Sequence, residues 1–254
     1  MVVLATNNAH KVGEISAVLA PLGIKVIAAG EAARGFTMPE ETGATFEENA
    51  MIKARALAGY LGAGQSGGQA DYVKTDSEFG IASSDPQATG RFACGLRLVG
   101  RNDDFSHSIQ AVIADDSGLC VDALGGAPGV YSARYAGSGV DSDNVARLLR
   151  ELGGVPAEGR TARFVCAIAL VGLGGAASVF RGECEGRIAD APRGEGGFGY
   201  DPVFLPDEYR TAGGALTFAE MGAREKNAIS HRARALEKLC AALSQNSQNI
   251  LVTP

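Results

Sequence analysis

The sequence lacks the features that mark several large classes of protein. Its longest uninterrupted apolar run, residues 164–173, falls well short of the roughly 20 residues that a bilayer-spanning helix needs. None of its five cysteines belongs to a CxxC pair, so we expect no zinc site of that type. Basic residues are outnumbered, with 23 Lys and Arg against 29 Asp and Glu, which argues against a long nucleic acid as partner. A single nucleotide stays compatible with this balance, because a few local cations and a metal ion suffice to hold it.

The remaining totals describe an ordinary globular protein. The 254 residues are 46% hydrophobic and 20% charged, enough for one large α/β domain or two small ones. The first eight residues contain no basic segment and begin with a strand pattern, so we expect no secretory leader. Cys120 and Cys166 stand within apolar runs, and we expect free thiols, a cytoplasmic location and no membrane partner.

The amino-terminal segment has a strand, a polar turn and a helix. Residues 2–5 are apolar, residues 6–11 form a Thr/Asn-rich turn, and apolar spacing predicts a helix over residues 12–22. Backbone N–H groups at the start of that helix, together with Lys11, suit an anion such as a phosphate. The turn could equally be an ordinary helix cap, and it lacks the glycines of a Walker A loop.

A second helix is predicted after Thr45. Thr45 and Glu48 have the spacing of a capping box, and the helix should run from Phe46 to about residue 60. Asn49 and Lys53 are four residues apart and therefore share a helix face. Lys53 could point into a cleft or only into solvent.

The most informative stretch is residues 113–119, Ile-Ala-Asp-Asp-Ser-Gly-Leu. It is predicted as the end of a buried strand followed by a glycine turn, with Asp115 and Asp116 adjacent. Two neighbouring carboxylates repel each other, and a Mg²⁺ ion held by one or two carboxylates is a natural reason to place them together. The alternative is a polar turn that caps the next element.

The rest of the chain alternates strands and helices around glycine-rich segments. Predicted helices cover residues 140–152 and 227–243, and predicted strands cover residues 25–29, 163–171, 177–185 and 203–205. The strands at 163–171 and 177–185 should pair around a glycine turn at residues 172–175. A second capping box is predicted at residues 217–220. Residues 193–202 contain four glycines that let the backbone approach a ligand closely, with Phe198 and Tyr200 offering ring faces. Residues 62–110 are rich in polar residues and glycine, and we interpret them as an insertion with a weak hairpin pattern near its end.

Five blocks together resemble the inosine triphosphate pyrophosphatase family, which removes non-canonical purine nucleotides. They are Ala5 to Lys11, Glu41 to Ala50 with Lys53, Ala114 to Leu119 with Gly125 to Arg134, Gly196 to Pro202, and Glu225 to Arg232. The resemblance implies an α/β fold with an elongated mixed central sheet and two lobes flanking a substrate cleft. It implies a single two-lobed domain over residues 1–250, interrupted at about 62–110. The implied reaction is Mg²⁺-dependent hydrolysis of ITP, dITP and XTP to the monophosphate and pyrophosphate, by a homodimer.

The resemblance also assigns roles, residue by residue. Asp116 and Lys53 would be catalytic, Glu41, Asp116 and Asp115 would bind magnesium, and the substrate would contact Thr6, Asn7, Asn8, Ala9, His10, Lys11, Ser117, Phe198, Gly199, Tyr200, Asp201, Lys226, His231 and Arg232. Two departures stand out. Asn7 replaces the family's usual glycine, and residues 54–114 separate Lys53 from Asp115 where relatives have a short connection.

Several alternatives stay open at this point. The enzyme could prefer another base, or the chain could be a nucleotide-binding module in which the insertion displaces the cleft. His231 could be a surface or capping residue, and His10 a solvent-facing turn residue. Tyr131 and Tyr135, with Arg134, could line the cleft or the dimer surface, and we favour packing. The insertion could lie at the dimer surface, although we favour a loop without function.

Overall fold

A computed structural model describes residues 1–6, 8–66, 109–211 and 214–248 of the chain. Within these residues the strands are β1 (Val2–Leu4), β2 (Val26–Ala28), β3 (Ala111–Val121), β4 (Thr161–Gly172), β5 (Ala177–Ile188), β6 (Phe204–Pro206), β7 (Arg210–Thr211) and β8 (Gly214–Ala215). The α-helices are α1 (Ala9–Leu19), α2 (Ala29–Ala32), α3 (Phe46–Ser66), α4 (Asp141–Glu151), α5 (Ala223–Ile229) and α6 (His231–Gln248).

Six of the described strands form a mixed sheet with the order β2-β1-β3-β4-β5-β6. β1 runs parallel to both β2 and β3, whereas β3, β4, β5 and β6 pair antiparallel with one another. β7 and β8 form a separate two-stranded ribbon. The α/β class and the mixed central sheet are therefore confirmed, and so is the predicted pairing of the strands that became β4 and β5.

Helices cover both faces of the first half of this sheet. α3 packs on one face through Ala50, Ala54 and Leu57, whereas α1 and α6 pack on the other. Successive strand residues point to opposite faces, so Val112 and Ala114 of β3 meet α3, while Ala111 and Ile113 meet α1 and α6. Burial on both faces explains why the start of β3 is a continuous apolar run without alternation.

The second half of the long strands carries a different core. At about 3.4 Å per residue, the 11 residues of β3 and the 12 residues of β4 extend roughly 37–41 Å. Leu119 of β3 packs with α4 and with an aromatic group made of Phe164, Phe204 and Phe218. Asp115 and Asp116 lie between the two regions, so the elongated sheet carries a lobe at each end and a cleft in the middle.

The prediction that β3 ends at Ala114 is wrong, because the strand continues through the acidic motif to Val121. Asp115, Asp116 and Ser117 each pair with a residue of β4, which satisfies backbone groups that would otherwise be buried without partners. Gly118 makes no turn here. A Cβ at Gly118 would lie 2.4 Å from Ser132 Oγ and 2.6 Å from the Gly129 carbonyl oxygen, so glycine is needed for close approach.

Two helices also differ from their predicted bounds. α1 begins at Ala9 and not at residue 12, because the Asn8 side chain accepts the N–H of Lys11 at 3.3 Å and caps the first turn. The Thr45 and Glu48 capping box is present as predicted. The helix that follows it continues to Ser66, six residues beyond the prediction. The weak hairpin pattern of the insertion falls mostly outside the described residues.

The second predicted capping box is present but begins no helix. Thr217 and Glu220 exchange the expected hydrogen bonds, at 2.8 and 3.3 Å, and these close a turn. The helix begins later, with Gly222 and Glu225 at the start of α5. The single helix predicted for this region is divided at Ser230, whose backbone is extended and whose hydroxyl accepts the N–H of Ala233 in the first turn of α6.

Two expectations from composition can be compared with these residues. Among the described residues, no helix is both long enough and apolar enough to cross a membrane. The four described cysteines are free thiols, with Cys166 and Cys184 buried and Cys120 and Cys240 partly exposed.

Candidate active site

A cleft of about 490 Å³ opens beside the middle of β3. Most of the predicted site residues line it, namely Thr6, Asn8, Lys11, Glu41, Lys53, Asp115, Asp116, Ser117, Phe198, Gly199, Tyr200, Asp201, Lys226, His231 and Arg232. Ala9 is in the first turn of α1 and is not among the lining residues, whereas Asn7 and the side chain of His10 lie outside the described part of the chain. A larger cavity of about 630 Å³, beside Arg187 and Asp207, contains none of the predicted residues.

Asp116 faces α3, where two side chains of that helix hold its carboxylate. Lys53 Nζ donates to Asp116 Oδ1 at 3.1 Å and to Glu41 Oε1 at 2.9 Å. Asn49, which is fully buried, donates to Asp116 Oδ2 at 3.2 Å and accepts the Gly43 N–H at 2.8 Å. Since Gly43 is a donor, the Asn49 amide must turn its own N–H groups towards Asp116. Both oxygens of Asp116 are thus fixed in direction.

Burial and charge act against each other in this group. Burial raises the pKa of Asp116, and the Lys53 ammonium opposes this effect only in part. Burial alone would lower the pKa of Lys53, but the neighbouring Asp116 and Glu41 carboxylates outweigh it and raise that pKa. Glu41 behaves in the opposite way to Asp116, because Lys53 outweighs burial and lowers the pKa of Glu41.

Asp115 projects from the opposite face of β3, towards α1 and α6. It is 1% exposed, and its Oδ2 lies 2.8 Å from Lys11 Nζ and 3.4 Å from Arg232 Nη2. Burial would raise the pKa of Asp115, but Lys11 and Arg232 outweigh it and hold this pKa well below the usual range. Asp115 is therefore a buried carboxylate whose charge two cations already balance.

The amino-terminal turn presents the start of α1 to the cleft. Thr6 Oγ1 accepts the Asn8 N–H at 3.1 Å, and Asn8 Oδ1 accepts the Lys11 N–H. The capping alternative is therefore correct. It leaves the anion hypothesis intact, because Lys11 itself lines the cleft beside the first turn of α1.

The other end of the cleft is built around the glycine-rich loop. Asp201 is buried, and its Oδ2 accepts the Phe198 N–H at 2.8 Å and contacts Lys226 Nζ at 2.5 Å. Lys226 Nζ also lies 4.7 Å from the centre of the Phe198 ring, which is 39% exposed. Tyr200 is buried, and its hydroxyl donates to the Ser132 carbonyl at 2.9 Å. Phe198 is thus the ring that this loop offers to a ligand, while Tyr200 anchors the loop.

His231 is buried in the cleft wall, so the alternative interpretation of His231 as a surface residue is wrong. It is 6% exposed, and its ring stacks on Phe164 with the ring centres 4.8 Å apart. Burial, reinforced by the positive charge of Arg232, lowers the pKa of His231 well below 6.5. The imidazole is neutral at pH 7 and offers one N–H donor and one acceptor nitrogen.

Several residues in or beside the cleft had no role in the sequence prediction. Asn49 holds Asp116, and its spacing from Lys53 was the available signal. Glu14 contacts Arg232 Nη1 at 2.7 Å, and Asp141 accepts the Gly199 N–H at 2.7 Å. Arg134 lines the cleft at 3.6 Å from Glu41, which agrees with one of the alternatives left open for it and not with the packing that we favoured. The contacts of Glu14 and Asp141 join segments far apart in sequence, which no local pattern reveals.

The carboxylates beside Lys53 have the chemistry of a magnesium site. The described residues contain no group of three or more His, Cys, Asp or Glu side chains arranged to hold a metal ion. Mg²⁺ needs less than that, because it is usually bound by one or two carboxylates, with water and substrate oxygens completing its shell. Glu41 and Asp116 fit this description, because their contacts with the one Lys53 ammonium group show that the two carboxylates lie close together.

Comparison with known proteins agrees with the resemblance found in the sequence. The model of the Ham1 family matches residues 2–71 and 100–242. A dITP/XTP pyrophosphatase of Geobacillus kaustophilus is 43% identical, over 94% of this chain and 91% of its own length. Among solved structures, the Ham1 protein of Staphylococcus aureus superposes with a TM-score of 0.70 at 34% identity, over 96% of this chain and 98% of its own. A HAM1 protein from Coxiella burnetii gives 0.69 at 35%, with the same coverage.

Proposed function

Because the chain belongs to the Ham1 family, we propose that it hydrolyses dITP, ITP and XTP to the nucleoside monophosphate and pyrophosphate. The observation that carries the proposal is that one end of the cleft is cationic and the other end is aromatic. Lys11 lies at the start of α1, which packs on the first half of the sheet, whereas the Phe198 loop and His231 adjoin the aromatic core of the second half. Asp116 and its partner Lys53 lie at the middle of β3. This order matches a triphosphate, a scissile bond and a base.

The central group would carry the chemistry. Asp116 would take a proton from the water that attacks the α-phosphorus, a step typically worth about 10²–10⁴ in rate. Asn49 and Lys53 hold the two oxygens of Asp116, so the carboxylate is aimed before substrate arrives. Lys11 and Lys53 would add positive charge where the pyrophosphate leaves.

We further propose Mg²⁺ as cofactor, held by Glu41 and Asp116. When bound, Mg²⁺ supplies charge neutralisation for the oxygens of the leaving pyrophosphate. The support in this chain is the convergence of the two carboxylates on the Lys53 ammonium, with Glu41 Oε1 at 2.9 Å and Asp116 Oδ1 at 3.1 Å.

Choice of the base would rest on the far end of the cleft. A purine can stack on Phe198, whose ring Lys226 and Asp201 hold in place. A donor from His231, Arg232 or a backbone N–H would pair with the 6-keto oxygen of hypoxanthine or xanthine. Adenine has a donor at that position and would leave the protein donor unpaired, which costs about 1–3 kcal/mol, or roughly ten- to a hundredfold in selectivity.

Assembly and location are proposed on the resemblance and on the cysteines. We propose a homodimer, for which light scattering during gel filtration should give twice the chain mass. We propose a cytoplasmic location, which suits the four described cysteines because all of them are free. The net charge of −6 supports a role without nucleic-acid binding.

The experiment that tests the function is product analysis with a panel of nucleotides. Purified protein is incubated with dITP, ITP, XTP, ATP, GTP and dUTP, with Mg²⁺ or with EDTA, and products are separated by ion-exchange chromatography. We expect monophosphate and pyrophosphate from dITP, ITP and XTP, and only in the presence of Mg²⁺. Release of orthophosphate and a diphosphate would refute the proposed bond cleavage. Preference for another base would refute the selectivity argument, and binding without turnover would favour a nucleotide-binding module.

A further inference from the structure

Asp115 joins two cations that come from different helices. Lys11 belongs to the first turn of α1 and Arg232 to the first turn of α6, and both contact the same atom, Asp115 Oδ2, at 2.8 and 3.4 Å. The other oxygen, Oδ1, accepts no hydrogen bond from the described residues. The polar contacts that Asp115 makes therefore serve to hold these two cations together.

The two cations are themselves largely enclosed. The Lys11 side chain is 18% exposed and the Arg232 side chain 5% exposed. Arg232 is fixed further by Glu14 at 2.7 Å and by Ser117 Oγ at 3.3 Å. Without the Asp115 charge, the ammonium and the guanidinium would repel each other across a site with little water to screen them.

The proposed function places Lys11 beside the triphosphate and counts Arg232 among the candidate donors to the base. On that basis, we propose that Asp115 is a positioning residue that sets both ends of the substrate site at once, through Lys11 and Arg232. It acts from the face of β3 opposite to Asp116 and does not bind the metal ion.

Electrostatics favours this role over metal binding. A divalent cation beside Asp115 Oδ2 would stand next to two positive charges that already share that atom, which is unfavourable. The carboxylates of Glu41 and Asp116 instead share a single cation, Lys53, on the other face of the strand. The two adjacent aspartates thus have different roles. Asp116 faces the reacting atoms, and Asp115 faces Lys11 and Arg232, which hold the substrate.

The test compares full-length Asp115→Asn with Asp122→Asn. Asp122 follows the same strand, accepts hydrogen bonds from Thr161 at 2.6 Å and Arg163 at 3.0 Å, and lies outside the cleft, so it is a matched control. Calorimetry measures the affinity for inorganic tripolyphosphate, which probes the phosphate end, and for inosine 5′-monophosphate, which probes the base end. The Mg²⁺ concentration that gives half-maximal hydrolysis of dITP is measured in parallel.

We expect Asp115→Asn to weaken both ligands by at least about tenfold, because Lys11 and Arg232 lose the carboxylate that holds them in place and then repel each other. The half-maximal Mg²⁺ concentration should stay at the wild-type value, and Asp122→Asn should match wild type throughout. A changed Mg²⁺ requirement with unchanged ligand affinities would identify Asp115 as a metal ligand and overturn the proposal. Weakening of one ligand alone would refute its action at both ends.

A second pair of variants keeps the test decisive if Asp115→Asn does not fold. Lys11→Met with Asp115→Asn removes one positive and one negative charge, and it is compared with Lys11→Met alone. We expect the double variant to bind inosine 5′-monophosphate more weakly than the single variant, since only the double variant loses the contact with Arg232. Equal affinities would overturn the proposal. Binding needs no turnover, so a wild-type protein that binds both ligands but hydrolyses nothing would defeat the proposed function alone.

Discussion

Replacement of Lys53 by methionine should destabilise the protein by leaving two carboxylates without their shared cation. The Lys53 side chain is 9% exposed, and it contacts Asp116 at 3.1 Å and Glu41 at 2.9 Å. Removing one partner of a buried ion pair costs about 3–5 kcal/mol, because an uncompensated charge remains. Glu41 is 29% exposed and can regain water, so we take the lower value, about 3 kcal/mol. In a chain of this size, that loss lowers Tm by about 6–12 °C.

The same variant should respond to magnesium more strongly than wild type. With Lys53 gone, Glu41 and Asp116 face each other without an ammonium to repel a divalent cation. At a hundred times its Kd, Mg²⁺ would restore about 2.7 kcal/mol, most of the stability that the substitution removes. The assay is scanning calorimetry of both proteins with MgCl₂, and with NaCl at equal ionic strength.

Lys238→Met is the matched control, because Lys238 is a cation of α6 whose Nζ donates to the backbone carbonyl of Arg181. It should behave as wild type towards Mg²⁺. If Lys53→Met gains no more from Mg²⁺ than this control does, Glu41 and Asp116 do not form a divalent-cation site. A Tm for Lys53→Met equal to that of wild type would contradict the calculated loss of stability.

Three further predictions concern packing, protonation and thiol reactivity. Gly182→Ala should lower the free energy of unfolding by about 1–3 kcal/mol or more, because its Cβ would lie 2.2 Å from the α6 backbone. Gly13 lies on α1 with open space around it, so Gly13→Ala should raise the free energy of unfolding by about 0.5–1 kcal/mol. Urea titrations measure both changes. Since the pKa of His231 is lowered in the folded state, stability should fall below pH 6.5 by up to about 1.4 kcal/mol per pH unit, and His231→Gln should remove this slope. Burial raises the pKa of Cys166 to about 12, so mass spectrometry after iodoacetamide treatment should find the partly exposed Cys240 labelled and Cys166 unlabelled; the reverse order would contradict the packing.

Local patterns in the sequence predicted the elements whose cause is local. The capping bonds between Thr45 and Glu48 depend on residues three apart, and the β4–β5 hairpin needs only two apolar runs around a glycine turn. Both are confirmed. The same logic found the bonds between Thr217 and Glu220 but not that they close a turn, because the start of α5 depends on the residues after them.

Tertiary contacts decided the features that the sequence analysis missed. Asp, Ser and Gly are poor strand formers, so the motif from Asp115 to Gly118 was interpreted as a turn. Pairing with β4 along its whole length keeps it in β3. The opposite directions of Asp115 and Asp116 follow from this continuation, since neighbouring strand residues point to opposite faces. A turn would have left both carboxylates free to bind one ion.

The residues that make up the site were more predictable than the contacts between them. The ordered blocks identified most of the residues that line the cleft, because chemistry restricts which residue types can stand there. Which cation faces which carboxylate is set by packing between distant segments. Arg232 reaches Glu14 and Asp115 only because α6 and α1 cover the same face of the sheet.

The most direct test of the account measures the turnover of dITP by Asp116→Asn beside wild type and Asp122→Asn, at saturating substrate and Mg²⁺. Asparagine keeps the shape of the side chain but cannot take the proton from water. The account predicts that kcat falls by about 10²–10⁴ in Asp116→Asn alone, with circular dichroism unchanged in both variants. Hydrolysis of dITP by Asp116→Asn at the wild-type rate would contradict the account, because the carboxylate that Asn49 and Lys53 hold in place would then have no part in the reaction.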